Sequence, residues 1–240
     1  MIRQLRYIAI VVVAIGTVSA QIQTVELYGS GALSIDKRFQ VTDATAFGGG
    51  VKLQYGLVGE LSIIIDAGYS TYSIEQTNEV QQWGWTIWER RYRNWVNIYT
   101  SDTANFSSKV VSVQTMDVLP VSLNLAYRIE LATDFDIRPA VGVGIDFFTR
   151  KLYHEETWTR KYPADGYQFT YTYHNFAPYK YGNPVFLTAG AAARFRISGL
   201  IVLHADCAYK MIAETSGELG YDNYPLTSAV TFTIGIGFQY

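Results

Sequence analysis

The chain ends in Thr231-Phe232-Thr233-Ile234-Gly235-Ile236-Gly237-Phe238-Gln239-Tyr240, an unbroken alternation of apolar and polar residues that closes on an aromatic. Successive side chains of a strand point to opposite faces. Val230, Phe232, Ile234, Ile236, Phe238 and Tyr240 therefore form one apolar face, and Thr231, Thr233, Gly235, Gly237 and Gln239 form a small, polar one. This segment is a strand, and what its two faces touch decides the fold.

The alternation recurs along the chain in segments near the ~9 to 11 residues of a tilted membrane-spanning strand. Strands are expected at 24–33, 47–55, 60–72, 119–129, 135–148, 185–197 and 200–211, which with the C-terminal strand makes eight. In the second, Phe47, Val51, Leu53 and Tyr55 oppose Gly48, Gly50, Lys52 and Gln54. In the fourth, Val121, Leu123, Leu125, Tyr127 and Ile129 oppose Ser122, Asn124, Ala126 and Arg128. Short connections (56–59, 130–134, 198–199) alternate with long ones (34–46, 73–118, 149–184, 212–226). All long loops thus emerge at one end, and both termini lie at the other.

An even number of strands with short turns at one end and long loops at the other fits an all-β, antiparallel, up-and-down transmembrane barrel of eight strands. Closure follows from the bilayer, where an open sheet edge would leave backbone N–H and C=O groups unpaired at several kcal/mol each. A ten-stranded barrel, with loops 2 and 3 supplying a further hairpin pair, is the structural alternative. The strands Leu119-Pro120-Val121-Ser122-Leu123-Asn124-Leu125-Ala126-Tyr127-Arg128 and Arg138-Pro139-Ala140-Val141-Gly142-Val143-Gly144, with the terminal aromatic, resemble the OmpA/OmpX-type eight-stranded outer-membrane barrels. The resemblance implies a Gram-negative-type outer membrane with both termini periplasmic. It implies Phe238 and Tyr240 as the signal read by the barrel-insertion machinery; the chain is expected to depart from the larger members in lacking a periplasmic peptidoglycan-binding domain.

Arg3 and Arg6 precede an apolar run from Ile8 to Ile15, and Val18-Ser19-Ala20 offers small residues for cleavage. The pattern reads as a secretory signal peptide over 1–20, too short in its apolar part to span a bilayer. Residues 21–240 read as one domain, since no linker or second composition regime interrupts them. Cys207 is the only cysteine, which excludes a disulfide framework. A net charge of −2 argues against a nucleic-acid partner.

Parity alone leaves a second fold open, a soluble lipocalin-like barrel with its apolar face inward. The polar faces argue against it, because they are rich in Gly, Ala, Ser and Thr, whereas a water-facing surface is ~25 to 35% charged. If they line a lumen, it holds Glu26, Lys52, Asp66, Arg128, Arg138, Asp146, Arg194, His204, Asp206 and Lys210. Charges removed from water must pair, so a cross-lumen salt-bridge network is expected, with a gated polar path as the sharper alternative. Eight strands leave no room for a wide pore.

All five tryptophans fall in the two longest loops: Trp83, Trp85, Trp88 and Trp95 in the second and Trp158 in the third. Arg90, Arg91 and Arg93 are interleaved with them. Tyr167, Phe169, Tyr171 and Tyr173 share one parity, as in a hairpin continuing above the membrane. These aromatics either pack on one another and meet lipid at the outer interface, or form a binding surface of hot-spot residues on a rigid scaffold. The partners expected are outer-membrane lipid, lipopolysaccharide and a surface glycan or protein. His154 with Glu155 or Glu156, and His174, are the thin candidates for metal or acid–base chemistry. No nucleophile motif accompanies them, and neither a cofactor, a metal nor a catalytic residue is assigned. The role expected is structural or surface-interacting, with a narrow porin second and a lipid-modifying enzyme third.

Overall fold

The computed structural model describes residues 22–215 and 218–240, so the expected signal peptide at 1–20 lies outside the described residues. Eight staves close a ring: β1 (Ile22–Ser34), β2 (Val41–Gly56), β3 (Leu61–Gln76), β4 (Phe106–Tyr127), β6 (Phe135–Lys161), β9 (Val185–Arg196), β10 (Ile201–Ile212) and β11 (Ser228–Gln239). Each pairs antiparallel with the next, and β11 pairs with β1 from Thr24–Gln239 to Ser34–Ala229. Three shorter strands add no stave. β5 (Ile129–Ala132) pairs with the start of β6, while β7 (Gln168–Phe176) and β8 (Lys180–Gly182) pair with its far half. The ring therefore has eight staves and not ten.

The apolar parity faces outward. Ile234 is 72% exposed and Leu27, Leu123, Val141, Leu187 and Phe232 are all exposed, whereas Glu26 on the opposite parity is 2% exposed. A closed ring wearing such a band spans a membrane, and the lipocalin arrangement is excluded. The short turns share an end with the chain's last residue, which places that end in the periplasm of an outer membrane. Aromatics Phe47, Tyr69, Phe147 and Tyr209 mark the band's outer limit.

The staves do not stop at that limit. β6 has 27 residues, about 90 Å of strand at ~3.3 Å per residue, against a hydrocarbon core of ~30 Å. Above Phe147 the polarity of its two faces exchanges: Thr149, Lys151, Glu155, Thr157 and Thr159 turn outward, while Phe148, Leu152 and Trp158 are buried inward. β3 makes the same exchange, with Tyr72 and Ile74 buried and Thr71, Ser73 and Glu75 exposed. The cause is the change of solvent from lipid to water on the outer face. As a result strands expected to end at Tyr72 and Phe148 run on to Gln76 and Lys161. The strand expected from Leu119 begins at Phe106, and the first long loop shrinks to 35–40.

The connection after β10 is not a surface loop. It kinks at Leu219 and Gly220, whose φ angles are 54° and 73°, and sends Tyr221, Tyr224 and Leu226 into the barrel mouth. There they pack with Ala44, Ala46, Tyr72, Met116, Val118, Phe148 and Phe186 into one apolar plug. Arg38 fastens the segment, its guanidinium lying 4.1 Å from the Tyr221 ring centre and donating to the Tyr221 carbonyl at 2.8 Å.

Candidate functional site

Two places gather functional side chains: the lumen, and the wall that rises beyond the membrane. In the lumen, the register sets Glu26 beside Gly237 and Lys52, and His204 between Gly235 and Arg194. A Cβ on Gly235 would lie 2.6 Å from His204 Nε2, so the small residues of β11 are what let β1 reach across to β9 and β10. Glu26 pairs with Arg194, and Lys52 pairs with Asp206. His204 is wedged between the two acids, with Nε2 3.6 Å from Glu26 and Nδ1 3.5 Å from Asp206. The result is a chain of contacts, Arg194–Glu26–His204–Asp206–Lys52, laid across the barrel with an ion pair at each end.

Nearer the periplasm, Arg138 is held by Asp136 at 2.6 Å and by Gln54 at 2.6 Å. Arg128 sits at the rim, 3.3 Å from Asp136, 3.2 Å from Glu130 and 3.9 Å from Glu60. At the outer end Asp146 accepts from Lys210 at 2.6 Å and from the Tyr224 hydroxyl at 2.8 Å, which ties the plug to the barrel wall. Asp66 has no salt-bridge cation among the described residues; it accepts from Tyr28 at 2.7 Å and lines a cavity of about 170 Å³. Gln54, Asp136 and Tyr28 share the lumenal parity but were not counted among the lumenal network from the sequence. These cross-lumen pairs lie on the periplasmic side of an apolar plug that the alternation of the staves gave no sign of.

Beyond the membrane, β4 from Phe106, β6 to Lys161 and β7 form a three-stranded wall. A strap made of the short helix Glu79–Trp83, a π turn Trp88–Tyr92 and the helix Arg93–Thr100 lies on its inner face. Trp83 donates to the Pro178 carbonyl at 3.0 Å and faces the Arg150 guanidinium at 5.0 Å. Trp85 and Trp88 stack on His154, with ring centres at 5.6 and 4.5 Å. His154 Nδ1 meets the Ser112 hydroxyl at 3.1 Å, and burial holds the imidazole below its usual pKa. Glu156 is fully buried; its Oε2 accepts from Trp158 Nε1 at 2.9 Å and its Oε1 has no partner among the described residues.

Of the two arrangements weighed for these aromatics, most of the tryptophans take the packed one. Trp83, Trp85 and Trp158 are buried, at 6%, 5% and 4%, because the strap closes onto the wall. Trp88 is half-buried. Trp95 remains 57% exposed, and Arg90 and Arg93 are exposed beside it; the Arg91 side chain lies outside the described residues. Phe238 lies outward on the last stave and Tyr240 is exposed at its end. Of the titratable loop residues, His174 and Glu155 meet at 3.5 Å on the outer face, away from His154, and no group of three metal-ligating side chains occurs among the described residues.

What remains open is a cleft of about 440 Å³ between strap and wall. One side is a connected run of rings, Trp95–Tyr99–Phe106–Trp158, with successive centres 5.5, 5.0 and 5.3 Å apart. The other is the ladder Phe169–Tyr171–Tyr173, at 5.6 and 6.2 Å. Tyr92 bridges the two sides through its hydroxyl, 2.7 Å from that of Tyr173. Burial first, and then the Glu156 carboxylate, push the Tyr173 hydroxyl upward in pKa. Arg160 stands at the mouth, 4.9 Å from the Tyr162 ring. The shared parity of Tyr167 to Tyr173 was the sequence's signal for this ladder; Tyr92, Phe106 and Arg160 carried none.

No protein-family model matches the chain, and no curated protein matches it. Among solved structures it is similar to the Pseudomonas aeruginosa outer membrane protein OprG, at 9% identity and a TM-score of 0.49 over 92% of this chain and 97% of that one. Neisserial surface protein A aligns at 9% identity and 0.46, over 90% and 96%. The attachment invasion locus protein Ail of Yersinia pestis aligns at 10% and 0.43, over 91% and 99%.

Proposed function

We propose that this outer-membrane barrel is a surface-recognition protein whose extracellular wall and strap bind a partner in the aromatic cleft. The observation that carries the reading is the cleft itself. Function concentrates where a rigid scaffold holds exposed side chains, and aromatic and arginine residues dominate binding hot spots. The volume also falls within the ~300 to 1,000 Å³ of small-molecule sites. Lipid and lipopolysaccharide would meet the barrel's outer band, and Phe238 and Tyr240 would serve its insertion.

A narrow porin is the weaker reading, because the apolar plug and the cross-lumen pairs occupy the lumen on both sides of the Asp66 cavity. Catalysis is weaker still: the Ser112–His154 contact leaves His154 Nε2 without a partner to orient the ring, and Trp85 and Trp88 cover it. The test displays the barrel on a Gram-negative host and measures adhesion of the cells to glycan-, protein- and phospholipid-coated surfaces. Trp95→Ala with Tyr171→Ala is expected to lower adhesion to at least one coating while the unboiled protein keeps its folded gel mobility. Adhesion equal to that of the parent barrel on every coating would overturn the recognition role.

A further inference from the structure

The cleft is lined by a cation, Arg160, and a buried carboxylate, Glu156, lies behind its lining next to Trp158. Glu156, Trp158 and Arg160 lie on one face of β6, so successive side chains are spaced by about 6.6 Å, two residues of strand. Behind the lining the Glu156 carboxylate is fully buried beneath Trp158, and no cationic side chain lies within salt-bridge distance of it among the described residues. A carboxylate taken out of water without a cation is costly, and its field falls on whatever enters the space above it. At the mouth Arg160 is exposed, with no carboxylate within salt-bridge distance among the described residues. Between them lie the faces of Trp158, Tyr99 and Trp95 on one side and of Tyr171 and Tyr173 on the other.

Aromatic rings on several sides of a space attract an organic cation through their negative faces, most strongly one too weakly hydrated to prefer water. A neutral sugar would use the rings but neither charge. A simple anion would meet Arg160 and be repelled by Glu156. Glu156 and Arg160 stand about 13 Å apart along the strand, so a short zwitterion lying between them, its cation on the rings that cover Glu156 and its anion reaching up to Arg160, uses both charges and the walls.

Building on the recognition role assigned to the wall and strap, together the crown, we propose that the cleft binds a zwitterion composed of a quaternary ammonium joined by a short link to a phosphate, the chemistry of phosphocholine. The trimethylammonium group sits among Trp158, Tyr171 and Tyr173 above Glu156, and the phosphate reaches Arg160. This chemistry occurs both as a membrane headgroup and as a soluble or glycan-linked substituent.

The experiment uses the barrel refolded in octyl glucoside, an uncharged detergent without choline, and follows tryptophan fluorescence during titration with phosphocholine, tetramethylammonium or inorganic phosphate. Phosphocholine is expected to give a saturable change, tetramethylammonium a weaker one, and phosphate none. Arg160→Gln should weaken phosphocholine about tenfold and leave tetramethylammonium unchanged, whereas Glu156→Gln should weaken both about tenfold. Tyr171→Leu, on the exposed ladder, should weaken both and covers the case in which Glu156→Gln does not fold. Absence of a saturable response to phosphocholine, or affinities indifferent to both Arg160→Gln and Tyr171→Leu, would overturn the assignment.

Flotation with phosphatidylcholine vesicles against phosphatidylglycerol vesicles separates the sources. Selective flotation blocked by free phosphocholine identifies a headgroup ligand, and a fluorescence response without flotation identifies the soluble or glycan-linked form. If the cleft variants lose adhesion while phosphocholine neither binds nor competes, the recognition role stands and this ligand falls.

Discussion

Neutralising Glu26 provides the strongest test of the lumenal chain. Its carboxylate is 2% exposed, is paired with Arg194 and stands 3.6 Å from His204 Nε2. Glu26→Gln keeps the shape but leaves Arg194, itself 3% exposed, without a counter-charge. Unit charges about 4 Å apart interact by roughly 4 kcal/mol at an effective dielectric of about 20, and breaking a buried pair typically costs about 3–5 kcal/mol. With a urea slope of about 2 kcal/mol per molar, a loss of about 4 kcal/mol lowers the unfolding midpoint by about 2 M. The folded fraction is read from the mobility of unboiled samples, because the tryptophans all lie in the crown and would report it instead. Glu26→Leu with Arg194→Met removes both charges and should recover the midpoint to within about 1 kcal/mol of the parent, since a well-packed apolar replacement of a buried pair is often neutral or better. A Glu26→Gln midpoint within about 0.5 M of the parent, or a double variant no better than the single, would refute the account of the lumen as a mutually neutralised chain.

Tyr224→Phe removes the hydroxyl that donates to Asp146 at 2.8 Å and should destabilise the barrel by about 1.5–3 kcal/mol in the same unfolding assay, the range for a hydrogen bond to a charged group. Gly182→Ala would drive its Cβ to 2.6 Å from the Gly220 Cα and should loosen the plug, seen as faster proteolysis of the 213–227 segment. Planar-bilayer conductance of the folded barrel should be silent; steady salt-dependent channels would restore the porin reading. His154 has its pKa held below the usual 6.5 by burial, so the unfolded chain binds its proton first. The crown is therefore fully stabilised above about pH 6.5 and loses stability as the pH falls through the lower folded-state value, reported by Trp85 and Trp88 fluorescence and abolished in His154→Phe.

Period-two alternation made the eight staves legible wherever the outer solvent is lipid. Period alone assigns Phe232, Ile234 and Ile236 to one face and Thr231, Thr233 and Gly235 to the other. The outer ends were not legible, for a physical reason. Where water replaces lipid the apolar parity crosses to the inside, so Phe148, Leu152 and Trp158 break the register set by Val141, Val143 and Ile145, and a strand that continues looks like one that has ended. The plug was hidden differently. Tyr221, Tyr224 and Leu226 lie in a segment with no period, and only the approach of Gly182 to Gly220 and the Tyr224–Asp146 contact bring it into the mouth. In the crown, the sequence showed which residues are aromatic but not which of them the strap would bury, since Trp83 and Trp95 look alike until a fold covers one.

The unbroken run of β6 from periplasm to crown has a mechanical consequence. A partner held in the cleft, as proposed, would pull on Trp158 and Arg160, which belong to the same strand as Ile137 and Val141 in the membrane. The load passes down one covalent chain into hydrogen-bond ladders with β4 and β9 that are stressed lengthwise, many bonds at once, instead of being unzipped one at a time. A cell tethered through this molecule under flow would lose its hold at the cleft before the anchor left the membrane.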